Sequence, residues 1–228
     1  MSTSSVQLVV WRQSAPDAEG RWETFTVDGS GAPTVQQALE SINASPVLAN
    51  GDTAEPVTLE EGEDFGLNVN GRPARSSEAR LDGSEEIVVL EPLSVFPVIR
   101  DLTVDRSRFQ TDLQEAGALA PTGFDVEALV SDCHRCGLCM EACNDYRRVG
   151  DYVGPAVVRV LERSNRAPGG DGLRSERLAI LMGDRGIVHD QNTFSYADAC
   201  PDGADLVQSI GLAKRSSAFQ WIQDFFQN

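Results

Sequence analysis

The chain has 228 residues, of which 41% are hydrophobic and 24% charged, a composition typical of globular proteins and unlike that of disordered ones. Its formal net charge of −16 repels phosphate, so we expect no nucleic-acid partner and no direct binding to an anionic membrane surface. No run reaches the roughly 20 apolar residues of a transmembrane helix. No secretory signal is visible either, so the sequence predicts a cytoplasmic protein without a membrane span.

The first hundred residues predict strands around one helix. Thr34 and Gln37 form a capping-box pattern that opens a helix reaching residue 44, and Asn70-Gly71 is a hairpin turn signal. Four segments have the apolar pattern of strands: 6–12, 22–28, 65–72 and 85–93. With an acidic loop at 51–64, the order ββαββ predicts a small α+β domain of the β-grasp type.

Beyond residue 105 the apolar spacing becomes helical. Pro155 suits the first turn of a helix, because the N–H that proline lacks is not needed there. The glycine-rich stretch 166–174 follows no strand and is interpreted as a surface loop, not a phosphate-binding one. Helices are predicted at 124–130, 154–164 and 204–215. We therefore predict two domains, residues 1–105 and residues 106–228, the second all-α.

Cysteine spacing is the most specific signal in the sequence. The run C-x2-C-x2-C-x3-C is typical of bacterial ferredoxins, in which the fourth cysteine binds a different cluster from the first three, and Cys200-Pro201 lies farther along. The alternative is a zinc site made from four of the five thiolates. We interpret His134 and His189 as non-ligands. The five cysteines are Cys133, Cys136, Cys139, Cys143 and Cys200.

Taken together, these motifs resemble the iron–sulfur subunit of succinate dehydrogenase and fumarate reductase. The stretch FPVIRDLTVDRSRF (96–109) is similar to the family's domain junction, GLNVNGR (66–72) to its N-terminal hairpin and YVGPA (152–156) to a helix start. The cysteine run and the segment 200–215 follow in the expected order. The resemblance implies a [2Fe–2S] ferredoxin-like β-grasp domain, then an all-α ferredoxin-like domain. In that family three clusters relay electrons from a flavoprotein subunit to a membrane quinone.

This sequence departs from the family at both outer clusters. No cysteine precedes residue 133, so the [2Fe–2S] ligands are missing, and the [3Fe–4S] centre retains only Cys143. The tryptophans expected at the quinone site are replaced around Arg147 and Arg148. Other residues stand where the missing ligands would lie: Val57, Gly62 and Ser77 for [2Fe–2S], and Asp190 and Tyr196 for [3Fe–4S].

The resemblance therefore implies a single [4Fe–4S] cluster. Its iron would be bound by Cys133, Cys136, Cys139 and Cys200, while Cys143 stays unassigned. No catalytic residue is predicted, and we expect no oxidoreductase activity from the chain alone. The expected function is an iron–sulfur subunit that relays electrons between a flavoprotein subunit and other redox centres. Membrane-anchor or paralogous iron–sulfur subunits would hold it at the inner membrane.

Two other functions are open at this stage. The first is a structural or assembly paralogue whose cluster only stabilises the fold, because metal binding can itself supply folding free energy. The second is a redox or oxygen sensor with Cys143 as an exposed thiol beside the cluster.

Overall fold

The computed structural model describes residues 5–60, 64–82, 85–121 and 133–227. The chain divides into two compact units. The first comprises residues 1–106 and 136–138, and the second comprises residues 107–135 and 139–228. The helix predicted at 124–130 lies outside the described residues.

The first unit is a mixed sheet packed against one helix, α1 (Val35–Ala44). β1 runs antiparallel to β2 and parallel to β5, and β3 pairs antiparallel with β4 and β5. Together, strands and helix enclose an apolar core. A short hairpin follows, made of β6 (Val98–Arg100) and β7 (Thr103–Val104). The sheet strands are β1 (Ser5–Arg12), β2 (Arg21–Asp28), β3 (Gly66–Val69), β4 (Arg72–Arg75) and β5 (Ile87–Glu91), in the order β2-β1-β5-β3-β4.

Two local signals of the sequence are present as predicted. The Thr34 hydroxyl accepts from the Gln37 backbone N–H at 3.2 Å, and the Gln37 side chain accepts from the Thr34 N–H at 3.0 Å, which completes the capping box. Asn70 and Gly71 have φ angles of +50° and +74°. Positive φ at both central residues is the requirement of a type I′ turn, which joins β3 to β4.

The register of β1 and β2 places Trp11 directly opposite Trp22. Their ring centroids are 5.0 Å apart, and the ring planes are inclined at 74°. Edge-to-face packing of this kind adds to the stability of a strand pair beyond the area that it buries. At the next position along β1, Arg12 points inward and is 2% exposed.

The second unit consists of helices and connecting loops, with no strand among its described residues. Its central helix, α5, begins at Pro155, and only one of its twelve residues, Arg166, is exposed. α2, α6 and α7 pack around α5. Buried Arg177 of α6 donates to Asn165 of α5 at 2.6 Å. The helices are α2 (Ser107–Ala118), α3 (Leu138–Glu141), α4 (Asn144–Val149), α5 (Pro155–Arg166), α6 (Arg174–Met182) and α7 (Leu206–Gln227), with 3-10 turns at Gly170–Leu173 and Ile187–His189.

α7 is longer than the sequence pattern predicted. Its first half buries Leu206, Ile210 and Ala213 against the unit, whereas residues 221–226 are all exposed. Large apolar side chains are exposed along the second half of α7: Phe219, Trp221, Ile222, Phe225 and Phe226. Among the residues that the structure describes, no helix, α7 included, is long and apolar enough to cross a bilayer.

Candidate metal centre

The backbone of the cysteine run turns sharply between Cys133 and Leu138. Residues 133–137 have no regular secondary structure, and both Arg135 (φ +56°) and Gly137 (φ +82°) are left-handed. A Cβ on Gly137 would lie 2.6 Å from the Phe96 ring, so glycine is required there by conformation and by space. Tight left-handed turns of this kind present successive thiols from one short segment.

Cys133 is a partly buried thiol with charged groups nearby. The Arg135 backbone, the guanidinium of Arg159 and the thiol of Cys200 lie within electrostatic reach of its sulfur. Burial is the largest influence and raises the pKa of Cys133 above its ordinary value. A thiol must lose its proton to bind iron, so metal binding here releases protons and becomes less favourable as the pH falls.

The four predicted ligands share one degree of exposure. Each is partly buried: Cys133, Cys136, Cys139 and Cys200. Within the described residues, no three Cys, His, Asp or Glu side chains already form a metal-binding group. The donor set nevertheless fits an iron–sulfur cube in kind and in number, because four thiols are available.

Cys143 lies in different surroundings from the other four cysteines. It is fully buried and caps the N-terminus of α4, where its sulfur accepts from the Tyr146 backbone N–H at 3.4 Å. Burial raises its pKa to about 11. The interpretation of Cys143 as an exposed sensor thiol is therefore wrong, because a buried thiol that stays protonated is unreactive.

The two residues at the positions that the resemblance assigns to missing [3Fe–4S] ligands, Asp190 and Tyr196, form a hydrogen bond with each other. The Tyr196 hydroxyl donates to Asp190 Oδ2 at 2.7 Å, and Lys214 of α7 donates to Asp190 Oδ1 at 2.5 Å. Lys214 also donates to Asn192 Oδ1 at 2.6 Å. The Asp190 and Tyr196 side chains are buried, so protein hydrogen bonds use their polar atoms.

The remaining singled-out residues have ordinary partners. His134 lies 3.5 Å from Asp202, and His189 ends a 3-10 turn. Arg147 donates to Glu141 at 2.9 Å, and Arg148 to Asp145 at 3.4 Å, so both arginines form ion pairs where the family's quinone-side tryptophans would stand. The loop predicted at 166–174 contains a 3-10 turn and the start of α6, and Gly170 packs closely against the backbone of Ser164.

Residues 1–132 do not fit a [2Fe–2S] cluster. Residues 1–132 contain neither cysteine nor histidine, the side chains that bind such clusters. Of the three positions that the resemblance indicates, Val57 belongs to the apolar core and Ser77 donates to Asp64 at 2.8 Å. Gly62 lies outside the described residues.

Comparison with known proteins places the chain in one family. Residues 7–111 match the model of a 2Fe-2S iron-sulfur cluster binding domain. The succinate dehydrogenase iron-sulfur subunit of Bacillus subtilis is 31% identical, with 97% of this chain and 96% of the relative aligned. A fumarate reductase iron-sulfur subunit of Mycobacterium tuberculosis is 30% identical over 67% of this chain and 68% of its own length.

A solved structure shows the same fold. A chain of the Mycobacterium smegmatis Sdh1 complex in the apo form superposes with a TM-score of 0.72, at 21% identity, over 96% of this chain and 98% of that one. The likeness therefore extends over the ferredoxin-like first unit and the helical second unit alike. With the near-complete match to the Bacillus relative, it follows that the chain belongs to the family of succinate dehydrogenase and fumarate reductase iron–sulfur subunits.

Proposed function

We propose that this chain is the iron–sulfur subunit of a succinate dehydrogenase- or fumarate reductase-like complex and that it holds one [4Fe–4S] cluster. The observation that carries the proposal is the near full-length relationship to such a subunit, together with a ferredoxin-type cysteine run in the second half of the chain. The β-grasp-type first domain, 1–105, contributes no ligand, and the helical domain, 106–228, contributes all of them. The proposed ligands are Cys133, Cys136, Cys139 and Cys200.

The proposed ligand set joins two distant parts of the chain. Cys133, Cys136 and Cys139 come from one loop, while Cys200 comes from the segment just before α7. The electrostatic influence of Cys200 on Cys133 supports this pairing. Such a cluster, when bound, carries one electron at a time. The thiolates would hold it in place, and the Arg135 backbone lies within electrostatic reach of the Cys133 sulfur.

Nearby charges favour a negatively charged group at this site. Arg159 is buried, and both it and Arg135 lower the free energy of a Cys133 thiolate. The net charge of −16 acts in the opposite direction at longer range, and we expect it to lower the reduction potential of the cluster. The two effects act at different distances, so they are separable by salt, which screens the distant charges most.

Iron and sulfide analysis of the anaerobically purified chain tests the proposal. We expect about four irons and four sulfides per chain, the content of one cube. A single tetrahedral zinc, or about nine irons as in a three-cluster subunit, would contradict it.

We expect partner subunits to carry out the steps of electron transfer that this chain does not. A flavoprotein subunit, with membrane-anchor or paralogous iron–sulfur subunits, would place this chain at the cytoplasmic side of the inner membrane. Co-purification from the host tests this setting. A flavoprotein that co-purifies with this chain, without another iron–sulfur subunit, supports electron relay by this chain. If a second, complete iron–sulfur subunit also co-purifies, the alternative of a structural or assembly paralogue gains support instead.

A further inference from the structure

The second half of α7 exposes a continuous apolar surface. The ring centroids of Trp221 and Phe225 are 5.9 Å apart in a stacked pair, and those of Phe225 and Phe226 are 5.5 Å apart in an edge-to-face pair. Together with Phe219 and Ile222, these side chains form the aromatic face of α7, which exposes on the order of 500 Å² of apolar area. Soluble monomers rarely leave a patch of that size uncovered, so it indicates an interaction site.

The aromatic face is not the side of α7 that packs on the second unit. The packed side is a stripe of buried residues spaced four, three and four positions apart: Leu206, Ile210, Ala213 and Ser217. With 3.6 residues per turn, the centre of the aromatic face lies roughly 140° around the helix axis from that stripe. One surface cannot bury both sides of the helix, so the aromatic face points away from the unit.

The aromatic face itself contains no charged residue. Residues 216–227 include a single charged side chain, Asp224, and its carboxylate accepts from the Gln220 amide at 2.8 Å. Both of these residues lie on the side of the helix opposite the aromatic face. The guanidinium of Arg215 lies 5.8 Å from the centre of the Phe219 ring, at the N-terminal end of the face. The segment is therefore an amphipathic helix with an aromatic side and an almost uncharged polar side.

Charge distinguishes between the surfaces that this face could contact. A second copy of the chain would bring another net charge of −16 against the first, which opposes self-association. An anionic bilayer would repel the chain for the same reason. A neutral apolar surface carries neither penalty, and it matches a helix face without charged groups.

The order of side chains across the aromatic face favours a lipid surface over a protein groove. Ile222 and Phe225 lie at its centre, whereas Trp221 lies at the border with the polar side. At that border an indole ring can be buried while its N–H still reaches water, which is the position that tryptophan takes at membrane interfaces. Amphipathic helices with Trp and Phe on one side lie in the plane of such an interface.

We propose that the second half of α7 binds the surface of a neutral, zwitterionic phospholipid bilayer. The helix lies in the plane of the bilayer surface, with the aromatic face inserted among the lipids and the side that carries Asp224 toward water. This contact holds the second unit at a membrane directly, in addition to any partner subunit. The inference depends on α7 alone and is independent of the cube proposed at the cysteines.

Co-sedimentation of the full-length chain with phosphatidylcholine vesicles tests the proposal. Phe225 and Phe226 are 67% and 81% exposed, so replacing them leaves the packing of the unit intact. We expect Phe225→Ser/Phe226→Ser to lower the partition coefficient roughly 100-fold, because burying one phenylalanine contributes about a factor of ten or more. Gln220→Ser/Gln223→Ser is the matched control on the polar side and should leave partition unchanged. Equal partition of the two variants, or no partition of wild type, would overturn the proposal.

Further measurements separate a lipid surface from the other occupants. Addition of phosphatidylglycerol to the vesicles should weaken binding of wild type, and binding that requires this anionic lipid would overturn the proposal. A lipid-free dimer that Phe225→Ser/Phe226→Ser abolishes, without vesicle binding by wild type, would instead identify a second copy as the occupant. Binding only to membranes that contain a partner subunit would identify a protein and also overturn the proposal.

Discussion

Tyr196 and Asp190 form a buried hydrogen bond of 2.7 Å at two positions where the resemblance implies iron ligands. The same network includes Lys214 of α7, whose ammonium group lies 2.5 Å from Asp190. An ion pair therefore involves one of these positions, and it ties the 190–196 segment to α7.

The first prediction concerns this ion pair. Lys214→Met leaves the Asp190 carboxylate buried without a cation, so we expect the free energy of unfolding to fall by about 3 kcal/mol. Arg215→Met removes a charge from the same helix turn, but this exposed guanidinium contacts the ring of Phe219 and not the network. Urea titration of both variants checks the difference. Equal stabilities would show that the network contributes little.

The second prediction separates Cys143 from Cys200. Cys143→Ser should keep the iron content and the fold, because serine is itself a favoured N-cap and can accept from the Tyr146 N–H. Cys200→Ser should lose cluster absorbance and destabilise the second unit, because it removes a proposed ligand. Absorbance retained in Cys200→Ser but lost in Cys143→Ser would instead indicate a local site made by the four cysteines of the run.

The third prediction is an alkaline loss of stability that depends on Cys143. Its pKa is raised from 9.0 to about 11 by burial, so the unfolded chain releases this proton first as the pH rises. The stabilising contribution is complete below about pH 9 and is lost toward about pH 11. Within that window the stability advantage of wild type over Cys143→Ser should shrink by up to about 1.4 kcal/mol per pH unit. Denaturant titrations at pH 8 to 10 measure it, and a constant difference would contradict the assignment.

The fourth prediction concerns catalysis by the isolated chain. Arg147 and Arg148 form ion pairs at the positions that the resemblance gives to quinone-side tryptophans, so we expect the chain alone neither to oxidise succinate nor to reduce a quinone analogue. A dye-linked assay with the cluster-loaded chain checks this. Turnover that persists after removal of trace flavoprotein would refute it.

Short-range signals in the sequence were sufficient for many of the elements. The Thr34 capping box, the Asn70-Gly71 turn and the start of α5 at Pro155 agree with the structure because each depends on residues close in sequence. β5 ends at Glu91, two residues before the prediction, because Pro92 has no N–H for a ladder hydrogen bond.

Long-range relationships could not be predicted in the same way. Arg12 looks like a polar residue at the end of a strand, and only the fold brings its partner Asp101 from 89 positions away. The ion pair between Asp190 and Lys214 of α7 likewise joins residues that are distant in sequence. The ligand positions derived from family spacing remain predictions, whereas the contacts of Asp190 and Tyr196 are visible only in the fold.

The Trp11–Trp22 pair gives this protein an intrinsic optical probe. Two indole rings held edge to face at 5.0 Å couple their electronic transitions, and that coupling should produce a circular dichroism band in the near ultraviolet. A slip of one residue between β1 and β2 would separate the rings and turn every side chain of the strand to the opposite face, Arg12 included. The band therefore reports strand register in the first unit without any attached label.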